Sequence, residues 1–354
     1  AQLSKIISNY TKVESQIPAP TRVVAAADGT GVNERVLIRG NYKTPGDEVH
    51  RRFLEAISGD LPIESTGSGR LELVERMFSS SNPLLPRVMV NRIWQHHFGE
   101  GIVRSVDDFG VMGQPPTHPE LLDFLANQFM KNGWSIKSMH RLMLLSSTYQ
   151  MSSQPEESAA RIDPQNKLLQ HMPVRRLEAE AIRDSLLAIS GRLDKTMYGP
   201  SVLPYLTPFM TGRGRPAQSG PLDGDGRRTI YLNVRRNFLS PMLLCFDYPI
   251  PMTTMGRRNV SNVPAQALTM LNNPFVIQQA QLWAKRALAE PNLTTEQRIN
   301  NLYIAAFARP PQPDELASAM QFLTEQQKQY SDPIKSWTDL CHVLINVKEF
   351  IFVN

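Results

Sequence analysis

Apolar positions recur at helical spacing along most of this chain, most clearly after residue 70. From Pro83 to Phe98, the residues Val90, Ile93, Trp94, His97 and Phe98 fall at i, i+3, i+4, i+7 and i+8, one face of a buried helix. Pro119 to Met130 carries Leu121, Leu122, Leu125 and Phe129 in the same way. Ser135 is placed to cap a helix running through Met139, Leu142, Met143 and Leu145. Arg175 to Ile189 predicts a further helix, stopped by Ser190-Gly191. Beyond Pro264 the pattern predicts Ala265–Leu271, Pro274–Ala289, Glu296–Ala308, Asp314–Lys328 and Ile334–Phe350.

The start of the chain departs from this pattern. Residues 1–20 read as a short helix ending at Pro18 and Pro20. Arg22 to Tyr42 is β-like, with Val23-Val24-Ala25-Ala26 and Arg35-Val36-Leu37-Ile38-Arg39 either side of the turn Asp28-Gly29-Thr30-Gly31. Asn41 to Asp47 is a second turn, and Ser65-Thr66-Gly67-Ser68-Gly69 is a loop. The expected organisation is therefore 1–69, a helix plus a β-like linker segment, and 70–354, a mainly helical domain. Tyr205 to Gly226 is rich in Gly and Pro without periodicity, a long loop of the kind that is functional or mobile. Arg227 to Arg236 alternates and reads as the clearest strand. The fold class expected is mainly α, a multi-helix domain with a small β element and a partly β N-terminal segment.

Composition adds limits. With 354 residues and 41% hydrophobic content, a sizeable core is within reach and global disorder is disfavoured. No apolar run approaches the roughly 18 residues of a membrane span. The start at Ala1 carries no secretion signal and reads as a processed or excised piece, so it does not fix a compartment. Cys245 and Cys341 are the only cysteines, which excludes a Cys-x-x-Cys zinc or haem-attachment motif within this chain. Two small buried hydrophobes is the simpler reading of the pair, and a disulfide is the alternative. Adjacent His96 and His97 point about 100° apart on a helix and do not easily chelate one ion. No metal and no cofactor are expected in this chain.

Charge is where chemistry concentrates. Between Ser201 and Val260 lie eight arginines (Arg213, Arg215, Arg227, Arg228, Arg235, Arg236, Arg257 and Arg258), no lysine, and three acids, Asp223, Asp225 and Asp247. The local balance, 8 − 3 = +5, equals the +5 of the whole chain. Arginine's fixed fork suits bidentate pairing with carboxylate, phosphate or sulfate. On the expected strand, Arg227, Thr229, Tyr231, Asn233 and Arg235 share one face, and Arg228, Ile230, Leu232, Val234 and Arg236 the other. The polar face suits an anionic or sugar-like ligand. The competing reading pairs these arginines with carboxylates inside the fold, and Arg176, Glu180 and Asp184 in an i, i+4 ladder, with Arg183 alongside, are the expected partners. Asp247 is most simply the counter-ion of Arg257 and Arg258. His118, Asp108 and Asp247 are the candidates for acid–base work, although no spacing singles out a pair.

Several runs occur in one order: Val90-Asn91-Arg92-Ile93-Trp94-Gln95-His96-His97-Phe98-Gly99; Asp107-Asp108-Phe109-Gly110; Pro115-Pro116-Thr117-His118-Pro119-Glu120-Leu121-Leu122-Asp123; Arg176-Leu177-Glu178-Ala179-Glu180-Ala181-Ile182-Arg183-Asp184; Arg257-Arg258-Asn259-Val260; and Val263-Pro264-Ala265-Gln266-Ala267-Leu268. Together they closely resemble a planctomycete-type secreted C-terminal domain of unknown function, found in proteins with an N-terminal cytochrome c-like domain. The resemblance covers roughly Pro83 to Asn354. It implies an extracytoplasmic location, periplasmic or cell-surface, and an upstream cytochrome c-like module that would carry any haem. It supplies no catalytic residues; the polar motif positions Arg92, Asp108, His118, Glu180, Asp184, Arg228, Arg258 and Gln266 are candidates only.

Two function classes follow. One is a non-catalytic ligand-binding or scaffolding module for anionic polysaccharide, with Arg227, Tyr231, Asn233, Arg235 and Arg258 as binding residues and Arg176, Glu180, Arg183, Asp184 and Arg228 as a structural network. The alternative is an enzyme oxidising or hydrolysing polysaccharide near the arginine-rich strand. Nucleic acid is disfavoured as a partner despite a pI near 9.2, because aromatics are not interleaved with the basic residues as stacking platforms.

Overall fold

The computed structural model describes residues 2–16 and 25–353, divided into the units Ala1–Leu85 and Pro86–Asn354. The first unit holds helices α1 (Gln2–Gln16), α2 (Glu55–Ser58) and α3 (Arg70–Met77) and a hairpin of β1 (Glu34–Leu37) and β2 (Pro45–Val49). The hairpin is antiparallel, with Glu34 opposite Val49 and Leu37 opposite Pro45. Its turn closes through Thr44 N–H to the Asn41 carbonyl and Lys43 N–H to Asn41 Oδ1, at 3.1 and 3.0 Å. The expected turn at Asn41–Asp47 thus runs into β2 at Pro45. The expected β segment at Val23 and Val24, and the prolines at 18 and 20, lie outside the described residues; Ala25 and Ala26 are not in a strand.

In the second unit α4 (Leu84–Phe98), α5 (Pro119–Lys131) and α6 (Ile136–Leu144) form one apolar cluster. Val90, Ile93, Trp94 and Phe98 meet Leu122, Leu125, Phe129, Met139 and Met143 there. Ser135 caps α6 by accepting the Ser138 N–H. Next come α7 (Glu157–Ile162), β3 (Arg175–Arg176), α8 (Ala179–Ser190), α9 (Pro241–Cys245), α10 (Pro264–Asn272), α11 (Pro274–Ala289), α12 (Thr295–Phe307), α13 (Pro313–Gln329), α14 (Pro333–Asn346) and β4 (Phe352–Val353). The larger core gathers on α11, whose Val276, Ala280, Trp283 and Ala284 lie one turn apart and pack among Ile182, Leu186 and Leu187 of α8 and Leu340, Cys341 and Leu344 of α14. Asn273 caps α11 through its side chain, and Thr294 with Gln297 closes a capping box on α12. The fold is mainly α with two small two-stranded sheets among the described residues.

Two sequence expectations fail because of contacts distant in sequence. The helix expected from Arg175 begins at Ala179, because Arg175 and Arg176 pair antiparallel with Val353 and Phe352 and Glu178 stays extended. The i, i+4 ladder through Arg176 therefore does not form. Arg227–Arg236 is not a strand. It makes only two isolated parallel bridges, Asp194 with Arg227 and Val202 with Leu232, separated by a 3-10 turn at Thr229–Tyr231. Asp184 forces that turn by taking both the N–H and the hydroxyl of Thr229, at 2.8 and 2.6 Å, so the alternation of faces is lost.

Candidate functional site

Three ionic nodes converge on the start of α8. In the first, the short sheet β3–β4 aims Arg176 inward, where its side chain is 4% exposed. Its guanidinium reaches Asp247 Oδ2 at 2.8 Å and donates to the carbonyls of Ser261 and Phe246 at 2.5 and 3.2 Å. Asp247 follows α9 in a left-handed conformation, φ 62°. It also accepts the Ser261 N–H at 2.8 Å and the Ser261 hydroxyl at 3.0 Å. Burial opposes ionisation of Asp247, but the Ser261 N–H and the Arg176 guanidinium outweigh it and hold the carboxyl below the usual carboxylate range. Buried Gln266 finishes the node by donating to the carbonyls of Cys245 and Ser261. The counter-ion of Asp247 is thus Arg176, and not the expected Arg257 and Arg258.

In the second node Arg258 pairs fork to fork with Glu180, at 2.6 and 2.9 Å, with Glu178 at 3.2 Å. The Glu180 hydrogen bonds raise the Arg258 pKa further. The third node centres on Arg183, buried on α8. It donates to the carbonyls of Asp223 and Arg227 at 2.7 and 3.0 Å and to the Thr229 hydroxyl at 3.0 Å. Asp184 lies 3.4 Å from it. Burial lowers the Arg183 pKa, with Asp184 and Asp223 opposing.

Arg227 is drawn into this interior. It donates to the carbonyls of Thr196 and Tyr198 at 2.9 and 2.6 Å, lies 3.5 Å from Asp194, and stacks on Tyr231 at 4.1 Å. Tyr231 accepts the Tyr198 N–H, and Asn233 donates to the Ser201 hydroxyl. Arg228 contacts the Met197 sulfur and forms no ion pair among the described residues, so it stands outside the network in which the sequence placed it. Arg235 and Arg236 are exposed and also form no ion pair among the described residues. The sequence-predicted ligand set is therefore dispersed: Arg227, Tyr231 and Asn233 hold the 196–202 segment, Arg258 belongs to α8, and Arg235 faces solvent.

What the structure does assemble is a groove of about 510 Å³ that periodicity did not reveal. Glu100, Arg104, Asp107, Asp108, Lys167 and Arg257 line it, with Gln114 and Gln165 beside them. Its walls are fixed by one ion pair and one backbone contact. Arg257 holds both Glu100 oxygens at 2.8 Å, and Asp107 accepts the Gly256 N–H at 2.7 Å. The floor loop is pinned by Asp108 taking the Gly110 N–H at 2.8 Å and by the Ser105 hydroxyl, which donates to the Asp108 carbonyl and accepts the Gln114 N–H. Val111 and Met112 stand fully exposed at its tip. Of the acid–base candidates, Asp108 lies in the groove, Asp247 is in the Arg176 node, and His118 bonds Thr117 at 2.9 Å with no carboxylate partner. Among the described residues no three His, Cys, Asp or Glu side chains gather as a metal set.

The motif runs at 90–123, 176–184 and 257–268 thus build one continuous region, and a family model matches residues 69–323, which contains all of them. The chain belongs to the PSD1 family, a protein of unknown function (DUF1553). No curated protein and no solved structure matches the chain. The PSD1 match thus covers the groove and all three nodes. Among the described residues no helix is long and apolar enough to cross a membrane.

Proposed function

We propose that this PSD1 domain is a non-catalytic module that binds anionic polysaccharide in the groove lined by Arg104, Lys167 and Arg257, within an extracytoplasmic, cytochrome-associated protein. The observation that carries the reading is the mixed lining. Arg104, Lys167 and Arg257 offer cations for sulfate or carboxylate groups, and Glu100, Asp107, Asp108, Gln114 and Gln165 offer acceptors for hydroxyls. A groove of about 510 Å³ has the size of a small-ligand site and accommodates a short stretch of a saccharide chain. The compartment and the upstream cytochrome c-like module, where any haem would reside, rest on the motif resemblance alone. The enzyme alternative finds less support, because Asp107 and Asp108 each already accept a backbone N–H and Glu100 is paired with Arg257, whereas a glycosidase works through free carboxyl groups.

Titration of sulfated and uronic-acid oligosaccharides against wild type and the double variant R104Q/K167Q tests the proposal. Each charge-assisted contact contributes on the order of 1.5–3 kcal/mol when desolvated, so the variant should bind at least about tenfold more weakly. Both side chains are outside the ionic nodes, and its melting temperature should match wild type. The variant R235Q/R236Q serves as the positional control: loss of binding there, with the groove variant unaffected, would move the site to the exposed arginine segment. Absence of binding to every anionic glycan by wild type would end the reading.

A further inference from the structure

A second cluster, separate from the groove and the ionic nodes, lies where α4, α6 and β3 meet. His97 Nε2 stands 2.7 Å from His140 Nδ1, so one ring donates and the other accepts. Tyr149 sets its ring edge-on to His97, with centroids 5.7 Å apart. Arg175 lies across the end of α4, its stem against Gly99 and its Nη1 donating to the His96 carbonyl at 2.6 Å. Among the described residues Arg175 Nε is buried without a hydrogen-bond partner, and the side chain forms no ion pair. Burial lowers the Arg175 pKa, with Tyr149 and Glu178 opposing; Glu178 itself is held by Arg258 at 3.2 Å. Burial, His140, Arg175 and His96 all pull His97 below its ordinary pKa, and no carboxylate counters them.

A half-buried guanidinium without a counter-ion carries an uncompensated desolvation cost, and its remaining donors match two oxygens of an oxyanion. We infer that this cluster binds a tetrahedral oxyanion, sulfate or phosphate, free or as a monoester, between the Arg175 guanidinium and the His97–His140 pair. The neutral pair has one proton fewer than full donation requires. Binding therefore draws a proton onto an imidazole, and affinity rises as pH falls through the histidine range. The titratable groups around the pair are His96 on α4, Tyr149 beyond α6, Arg175 on β3 and Glu178 just after it. Only Glu178 is acidic, and it is already engaged.

Histidine ring resonances of isotopically labelled protein, followed from about pH 8 to about pH 5, read this site without reference to the groove. The titration is run in sodium chloride, sodium sulfate, sodium phosphate and a sugar sulfate monoester at matched ionic strength. Sulfate should raise the His97 midpoint by about half a pH unit or more relative to chloride. Arg175→Gln should abolish the rise. Arg175→Lys keeps a cation and an aliphatic stem but lacks the planar guanidinium fork, and should lose most of it, which covers the case of a glutamine variant that does not fold. A rise with the inorganic ions alone identifies a free anion as ligand; a rise with the sugar sulfate extends the site to esters. Identical midpoints in chloride and in every oxyanion, or an equal rise in wild type and the Arg175 variants, would overturn the proposal.

Discussion

Arg176→Met is the perturbation that most directly tests whether the interior ion pairs hold the fold. Methionine keeps much of the aliphatic stem but removes every donor. Asp247 would lose its 2.8 Å guanidinium partner, and the carbonyls of Ser261 and Phe246 would lose theirs. Removing one partner of a buried pair costs about 3–5 kcal/mol. Asp247 keeps the Ser261 N–H and hydroxyl, so the lower end, about 3 kcal/mol, is expected. For a unit of this size that is a fall of roughly 6 °C in melting temperature. The pH dependence adds a second signature. Asp247 has a folded pKa held below its unfolded value, so its contribution is present above the unfolded value and is lost as pH falls through the folded one. The gap between wild type and variant should be widest at neutral pH and narrow in acid. Thermal melts followed by circular dichroism at several pH values give both readings, and the double variant R176M/D247N should be less destabilised than R176M alone because no charge is left unpaired. A melting temperature within about 2 °C of wild type, or a gap that stays constant into acid, would refute the reasoning.

Other positions give independent checks. Gly226→Ala places a Cβ at φ +72° and against the Arg192 carbonyl oxygen, so it should lose at least about 2 kcal/mol by denaturant melt. Glu180→Gln weakens the fork held by Arg258 while Glu178 remains, so a melt should show a loss of about 1–2 kcal/mol and glycan titration a weaker groove, through its Arg257 wall. Native alkylation read by mass spectrometry should modify half-buried Cys245 well before Cys341, whose thiol is fully buried and pushed up by that burial.

The helices were the legible part of the sequence because their apolar faces repeat every turn and their ends carry chemical marks. Ser135, Asn273 and Thr294 each cap the helix that follows them, and Pro119, Pro264 and Pro274 occupy first turns. The short helix α3 carried a usable signal as well, with Leu71, Val74 and Met77 at three-residue spacing. The arginine segment was not legible, since its alternation satisfied the strand pattern while a single long-range acceptor, Asp184, imposed a 3-10 turn on it. Arg176 likewise fitted a helical ladder, and only the distant Phe352–Val353 pairing makes it a strand residue. Groove residues such as Glu100, Arg104 and Lys167 had no periodicity to expose them, because they come from separate loops and meet only through tertiary contacts.

The charge excess acquires a different meaning once the partners are known. Of the eight arginines between Ser201 and Val260, Arg227, Arg257 and Arg258 pair with acids outside that segment: Asp194, Glu100, and Glu178 with Glu180. Two of its acids do the reverse, Asp223 binding Arg192 and Asp247 binding Arg176. The segment is therefore stitched to α8 and to the loop after α4 by exchange of charge in both directions, and the ties crowd around Gly256, Arg257 and Arg258. Of these, Arg257 lines the groove, held by Glu100, and its neighbours Gly256 and Arg258 are anchored by Asp107 and Glu180. A guanidinium fixed by two carboxylate oxygens keeps its remaining donors aimed and loses less side-chain entropy when a ligand arrives than a mobile lysine would. The interior pairs and the groove are in this sense one construction: the lattice sets the position of Arg257, while Arg104 and Lys167, which line the same groove, form no ion pair among the described residues.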